Sequence, residues 1–288
     1  MNINLYDVDG HNFPNLALMK LSAYHKEKND TVNLCGIGHF DTQYKSKVFT
    51  FTDDQFSLSS FDKEIKGGTG YNMHKLPEEI EHVCPDYDLY NCEHAYGFLT
   101  RGCPNKCSWC IVPQKEGDIK PHAEIEEFIS DKKTAVLLDN NILASEHGRK
   151  EIEKIIDKKI RVDFNQGLDC RLIDDETAKL LSCVKWLKPL RMACDNQGQK
   201  EPIRKATRLL RKHGTKPKRF FVYTLLKEED ESIDRIEFLR SLNLDPFAQP
   251  YIDFKNNYIN PDLKRLARWV NHKAVFKSVS WEKYKNVP

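Results

Sequence analysis

From Ala95 onward the chain alternates short apolar runs with stretches of helical periodicity, the pattern of βα units around a parallel sheet. The first strand is predicted over Ala95 to Thr100. Pro121 is predicted to open a helix that carries Ile125, Phe128 and Ile129 on one face. A second strand over Thr134 to Leu138 leads to a helix capped near Ser145, with Ile152, Ile155 and Ile156 inward. Ile160 to Phe164 reads as a third strand, and Asp174 as the N-cap of the next helix. A fourth strand falls within Val184 to Ala193, its limits blurred by Pro189. The helix after it groups Ala206, Leu209 and Leu210 and ends near Gly214, with Pro217 beyond. Phe220 to Leu225 is aromatic and β-branched enough for a fifth strand. A helix with Ile233, Ile236 and Leu239 follows, and Asp245 to Ala248 makes the sixth strand.

Both ends carry further structure. Ile3 to Val8, a helix from Asn15 to Lys26, Val32 to Ile37 and Lys47 to Phe51 predict a small α/β layer of incomplete Rossmann-like form. Asn260-Pro261 starts a C-terminal helix whose Leu263, Leu266, Ala267 and Val270 share a face, so it docks on the βα units. The predicted division is residues 1–90, 91–255 and 256–288, with no internal repeat or low-complexity tract.

Charge narrows the partners. With 45 basic and 43 acidic residues in 288, the formal net charge is +2, which gives no reason to expect a nucleic-acid surface. Lys and Arg gather between Lys200 and Lys218, yet half of that stretch reads as a solvated helix face. No apolar run approaches the roughly 20 residues that span a bilayer, and the N-terminus lacks a signal-peptide pattern, so a cytoplasmic location is expected. Nine cysteines, an odd number, suit a reducing compartment better than a disulfide framework.

Three of those cysteines carry the chemistry. Cys103, Cys107 and Cys110 stand in Arg101-Gly102-Cys103-Pro104-Asn105-Lys106-Cys107-Ser108-Trp109-Cys110. Three thiolates on one short loop can each hold one iron of a cubane and leave the fourth iron open to a small molecule. The alternative is structural zinc, completed by Cys92, His94 or His122. Zinc ligands usually come as two separated pairs, which a tight triplet matches poorly. Cys35, Cys84, Cys92, Cys170, Cys183 and Cys194 are scattered, so no auxiliary cluster is expected.

The CxxxCxxC spacing, with Trp109 just before the third cysteine, resembles the signature of the radical S-adenosylmethionine (SAM) superfamily. The resemblance implies a partial (βα)6 barrel, a [4Fe-4S] cluster on the three cysteines, and SAM chelated at the open iron. It also implies an external electron donor such as flavodoxin or ferredoxin. Polar residues at the strand ends would then receive SAM, as ligands collect at the carboxyl edge of parallel sheets. The usual Gly-Gly-Glu after the second strand is missing, and Asp139, Asn140 and Asn141 stand in its place for the SAM amino group. Gln166 and Arg171 would serve the carboxylate and ribose, Trp109 the adenine side, and Tyr223 the fifth-strand wall. Any of these polar residues could instead cap a helix or close a turn.

Asp7-Val8-Asp9-Gly10-His11-Asn12-Phe13-Pro14 partly resembles the Asp-x-His-x-x-Gly cobalamin motif, with Pro14 replacing the glycine. The change, and the fewer than 100 residues before the barrel, favour a remnant of that fold over cobalamin binding. The Gly67-Gly68-Thr69-Gly70-Tyr71 run could bring backbone N–H groups to a ligand. The short N-terminal layer and the Asp-Gly-His-Asn-Phe-Pro-Asn segment look similar to a small clostridial-type group that includes queuine lyase. That narrower resemblance implies a small-molecule 7-deazaguanine substrate, cleaved at its carbon–nitrogen bond to release 7-aminomethyl-7-deazaguanine. Asp9, His11, Asn12, Asp195 and Tyr223 are then candidates for the base and diol. The other readings are a radical SAM methyltransferase or methylthiotransferase on RNA or protein, and a non-enzymatic metal-bearing interaction protein.

Overall fold

The computed structural model describes residues 1–10, 13–54, 57–215, 220–253, 256 and 258–286. At the N-terminus β1 (Asn2–Asp7), α1 (Leu16–Glu27), β2 (Thr31–Leu34), β3 (His39–Ser46) and β4 (Ser60–Gly67) form an all-parallel sheet of order β2-β1-β3-β4. Asn15 caps α1 through its side chain, which accepts the Leu18 N–H. The second strand ends at Leu34, not Ile37, because Cys35 turns the backbone with φ 50°.

The strand expected over 47–51 is absent, and that segment is loop and turn between β3 and β4. Sequence alternation misses β3 because it buries polar side chains, among them Gln43 and Ser46. Ser46 accepts from Asn15 Nδ2 at 2.9 Å, and Gln43 belongs to a polar ladder that crosses the sheet. Asn4 Nδ2 donates to Gln43 Oε1 at 2.8 Å, and Gln43 Nε2 donates to Glu64 Oε1 at 3.1 Å.

After α2 (Glu78–Glu81), the larger part of the chain opens with β5 (Ala95–Gly97). Then come β6 (Thr100–Arg101), α3 (Val112–Lys115), β7 (Lys120–Pro121), α4 (Ile125–Ile129) and β8 (Thr134–Leu137). Pro121 does not open a helix. It pairs with Thr100 in the antiparallel β6–β7 bridge, and α4 begins only at Ile125. The elements α5 (Glu146–Asp157), β9 (Arg161–Phe164) and α6 (Asp175–Ser182) follow as expected. Ser145 and Asp174 cap the two helices by accepting the N–H groups of Gly148 and Thr177.

The fourth strand is split into β10 (Lys185–Trp186) and β11 (Arg191–Ala193), and the break falls around Pro189, which has no N–H for a ladder. β10 pairs with β9, whereas β11 pairs with β12 (Phe221–Leu226) on the far side of α7 (Lys200–Lys212). After α8 (Glu229–Ser241), β13 (Asp245–Pro250) completes the set. The expected single run of six strands is thus two parallel sheets, β10-β9-β8-β5 and β11-β12-β13. The Arg191–Asp163 ion pair and the Leu168 N–H to Arg191 carbonyl bond (2.8 Å) tie them together across the break. Gly214, with φ 75°, ends the turn after α7, and Pro217 lies outside the described residues.

The C-terminal segment is three helices, α9 (Pro261–Asn271), α10 (Lys273–Ser278) and α11 (Trp281–Lys285). Leu263, Leu266, Trp269 and Val270 of α9 pack with Leu226 and Ala248 of the second sheet and with Phe276 and Trp281. Helix α1 serves two cores: Leu18 and Leu21 face Ile3 and Leu5, while Met19 joins the main core. Among the described residues, no helix is long and apolar enough to cross a membrane.

Candidate active site

The β6–β7 bridge closes a loop that carries all three cysteines. The Cys103 N–H bonds the Gly117 carbonyl at 3.1 Å, which draws the two arms together. This approach requires Gly102, whose φ is 84° and whose absent Cβ would lie 2.2 Å from the Asp118 carbonyl oxygen. Asp139, from the end of β8, holds the start of the loop. Its carboxylate accepts the Leu99 N–H at 3.1 Å, the Thr100 N–H and the Thr100 hydroxyl at 2.7 Å. Burial nonetheless outweighs these donors and raises its pKa to about 6. Asp139 therefore supports the loop from behind and does not line the cavity described below.

Cys103 and Cys107 are half-buried, Cys110 is exposed, and none is in a disulfide. Burial, then the neighbouring Cys110 and Cys103, push the Cys107 thiol up. Asn141 Nδ2 lies 3.6 Å from Cys103 Sγ and 3.2 Å from Asp169 Oδ2. Asp169 is gripped by the Arg171 guanidinium at 2.8 and 2.6 Å. The fork of Arg171, expected to receive a ligand carboxylate, is thus already engaged by an internal one.

Among the described residues, no three His, Cys, Asp or Glu side chains are arranged to hold a single metal ion. The proposed fourth zinc ligands are occupied elsewhere: Cys92 against Met19 Sδ, His94 on Thr134 Oγ1 at 2.8 Å, His122 beside Glu81 at 3.3 Å.

Beside the loop opens a cavity of about 680 Å³, at the carboxyl ends of the parallel strands. The loop contributes Trp109 and Cys110, and β8 and β9 end in Asn140, Asn165 and Gln166 on its wall. The second sheet adds Asp195, Tyr223 and Gln249. Of the residues singled out from sequence, Trp109, Cys110, Asn140, Gln166, Asp195 and Tyr223 meet here. Asn141 and Arg171 are not among the lining residues and belong to the Asp169 network.

Asp195 is mostly buried, which raises its pKa, and it accepts the Leu225 N–H at 2.9 Å. Arg235 of α8, 1% exposed, fixes this wall by donating to the Cys194 carbonyl at 2.5 Å and the Leu225 carbonyl at 2.8 Å. Lys227 Nζ sits 3.8 Å from the Trp109 ring centroid, a cation–π contact that joins the loop to the second sheet.

A second cavity, of about 720 Å³, lies at the carboxyl ends of β3 and β4 beside α1. Thr69, Phe98, Lys115, Leu138, Asn165 and Gln166 line both cavities, so the two adjoin. Thr69 belongs to the glycine-rich run, and Lys115 Nζ donates to its hydroxyl. The second wall also holds a buried ionic cluster in which Glu81 meets Lys20, Arg101 and His122, while Arg101 forks Glu116.

Asp9 takes no part in either cavity. It accepts the Val48 and Phe49 N–H groups and the Thr52 hydroxyl, pinning the β3–β4 connection. His11 and Asn12 lie outside the described residues. Sequence reasoning overlooked Lys115 and Lys227. The signal for Lys115 was Pro113, two residues earlier, which opens the one-turn helix α3 directly after the cysteines.

No protein-family model and no curated protein matches the chain. Solved structures do. The cobalamin-dependent S-adenosylmethionine radical enzyme OxsB with aqua-cobalamin and S-adenosylmethionine bound is similar at TM-score 0.55 and 13% identity, over 96% of this chain and 56% of that one. The same enzyme with aqua-cobalamin bound is similar at TM-score 0.57 and 14% identity, with the same coverage. The chain spans little more than half the length of that protein, and the likeness is one of fold.

Proposed function

We propose that this protein is a radical SAM enzyme, with Cys103, Cys107 and Cys110 each holding one iron of a [4Fe-4S] cluster and SAM bound in the first cavity. The observation that carries this reading is the placement of the cysteine loop. Its thiols stand on a loop anchored by Asp139 at the carboxyl edge of the strands, and Cys110 and Trp109 face the cavity. The fold shared with a SAM-binding radical enzyme supports it. When bound and reduced, such a cluster supplies the electron that cleaves SAM and starts hydrogen abstraction. The protein's own residues bind and orient. Trp109 offers a stacking face, Asn140 and Gln166 offer amides for the polar groups of SAM, and Lys227 covers the loop from the second sheet.

For the substrate we carry the 7-deazaguanine reading, in which the enzyme cleaves the carbon–nitrogen bond of queuine. A guanine-like edge needs a buried carboxylate for its N–H donors, and Asp195 stands on the wall with Tyr223 and Gln249 beside it. The near-neutral charge gives no reason to expect a transfer RNA as the substrate.

A second reading is a cobalamin-dependent radical SAM methyltransferase. It is favoured by the second cavity, which lies at the carboxyl edge of the N-terminal sheet and adjoins the first. Against it stands Pro14 in place of the motif glycine.

The test is anaerobic reconstitution with iron and sulfide, reduction by dithionite, and mass spectrometry of SAM products with and without queuine. Formation of 5'-deoxyadenosine that rises with queuine, together with 7-aminomethyl-7-deazaguanine, supports the lyase. Cleavage indifferent to queuine removes that substrate, and retention of added cobalamin on gel filtration then favours the second reading. Zinc in the purified protein, with neither cluster nor SAM cleavage, overturns the proposal.

A further inference from the structure

We infer that Asn141 and Asp169 are positioning residues for the cysteine loop: Asn141 donates an N–H to Cys103 Sγ, and Asp169 holds the amides of Asn141 and Asn105 in the orientation this requires. The inference rests on the cluster reading above.

The geometry leaves little freedom. Asp169 Oδ2 accepts from Asn141 Nδ2 at 3.2 Å and from Asn105 Nδ2 at 3.1 Å. Asn105 lies between Cys103 and Cys107, so one carboxylate joins the cysteine loop to the end of β8. The Arg171 fork, together with the Arg171 N–H at 3.1 Å, keeps that carboxylate ionised and in place. An ionised carboxylate only accepts, so the Asn141 amide must turn its NH2 toward it. With one N–H on Asp169, the other reaches Cys103 Sγ at 3.6 Å.

Stability alone does not account for Asn141. The residue is 3% exposed, and its Oδ1 is buried without a partner. An orphaned acceptor costs stability that an apolar side chain of the same shape would not lose. The gain lies at the sulfur: an N–H directed at a ligating thiolate draws charge from it and favours the reduced cluster.

The experiment compares the wild-type chain with Asn141→Leu and the nearly isosteric Asp169→Asn. Each is measured for circular dichroism, iron per chain, midpoint potential and electron paramagnetic resonance of the reduced cluster. In the cluster-free protein, the rate at which iodoacetamide alkylates Cys103 relative to Cys110 is read by peptide mass spectrometry. Asn141→Leu is expected to lower the midpoint potential, change the resonance and alkylate Cys103 several-fold more slowly, because the N–H no longer favours the thiolate that attacks iodoacetamide. Asp169→Asn, which keeps one acceptor but weakens the Arg171 fork, is expected to fall between, and it carries the test if Asn141→Leu does not fold. Unchanged potential and unchanged Cys103 alkylation in folded variants overturn the inference. A wild-type chain that takes up no cluster overturns the functional reading instead, while the alkylation comparison still decides whether the clamp exists.

Discussion

One carboxylate oxygen of Asp139 accepts both the amide N–H and the hydroxyl of Thr100, three residues before Cys103. The loop that carries the cysteines therefore starts from a buried acid, and its burial has a measurable consequence. An ordinary aspartate releases its proton near pH 4, whereas Asp139 does so at about 6. Between those values the folded chain holds a proton that the unfolded chain has lost, so this group's contribution to stability falls as pH rises. In urea denaturation, the stability of wild type relative to Asp139→Asn should drop by on the order of 3 kcal/mol between about pH 4 and 6, then stay level. A difference independent of pH would show that Asp139 titrates normally.

Gly102→Ala should cost about 2–3 kcal/mol, because the new methyl meets the Asp118 carbonyl in a backbone conformation that disfavours side chains. Thermal unfolding reads the loss. Faster thiol labelling of Cys103 and Cys107 in the still-folded protein would localise it to the loop.

Glu81 titrates the other way. Burial opposes its charge, but His122, Lys20 and Arg101 hold its pKa down to about 2. Its contribution is present above the usual glutamate pKa, near 4.5, and is lost as pH falls toward 2. Glu81→Leu should destabilise by about 3 kcal/mol at neutral pH, since it leaves Lys20 and Arg101 without this carboxylate. Acid unfolding of the variant should also lose the part of its slope below about pH 4.5. An unaltered acid transition would remove Glu81 from the account.

Arg235 fixes the wall that carries Asp195 by bonding two carbonyls at once, which a point-like ammonium cannot reproduce. Both Arg235→Met and Arg235→Lys should therefore cost about 2–4 kcal/mol and speed amide exchange in β11 and β12. Full protection in the lysine variant would show that charge alone suffices.

Much of the architecture was legible because it depends on local pattern. Ser145, Asp174 and Asn260 announce helix starts that the structure shows as side-chain caps. Phe221–Leu226 and Thr134–Leu137 are apolar strands that any pairing would bury. By contrast, β3 was illegible, since Gln43 counts as a core residue only once Asn4 and Glu64 lie beside it.

By itself, the sequence determined the alternation of strands and helices and the three thiols on one short loop, because periodicity, caps and ligand spacing are set by near neighbours. Only the tertiary structure decided which polar residues face the cavity. Asp139, Asp169 and Asp195 all follow strands, yet the first holds backbone amides, the second holds Asn141 and Asn105, and the third lines the wall. A carboxylate's role depends on which donors reach it, and here Leu99 and Thr100, Asn141 and Asn105, and Leu225 reach these three from 28 to 64 residues away, beyond what local pattern encodes.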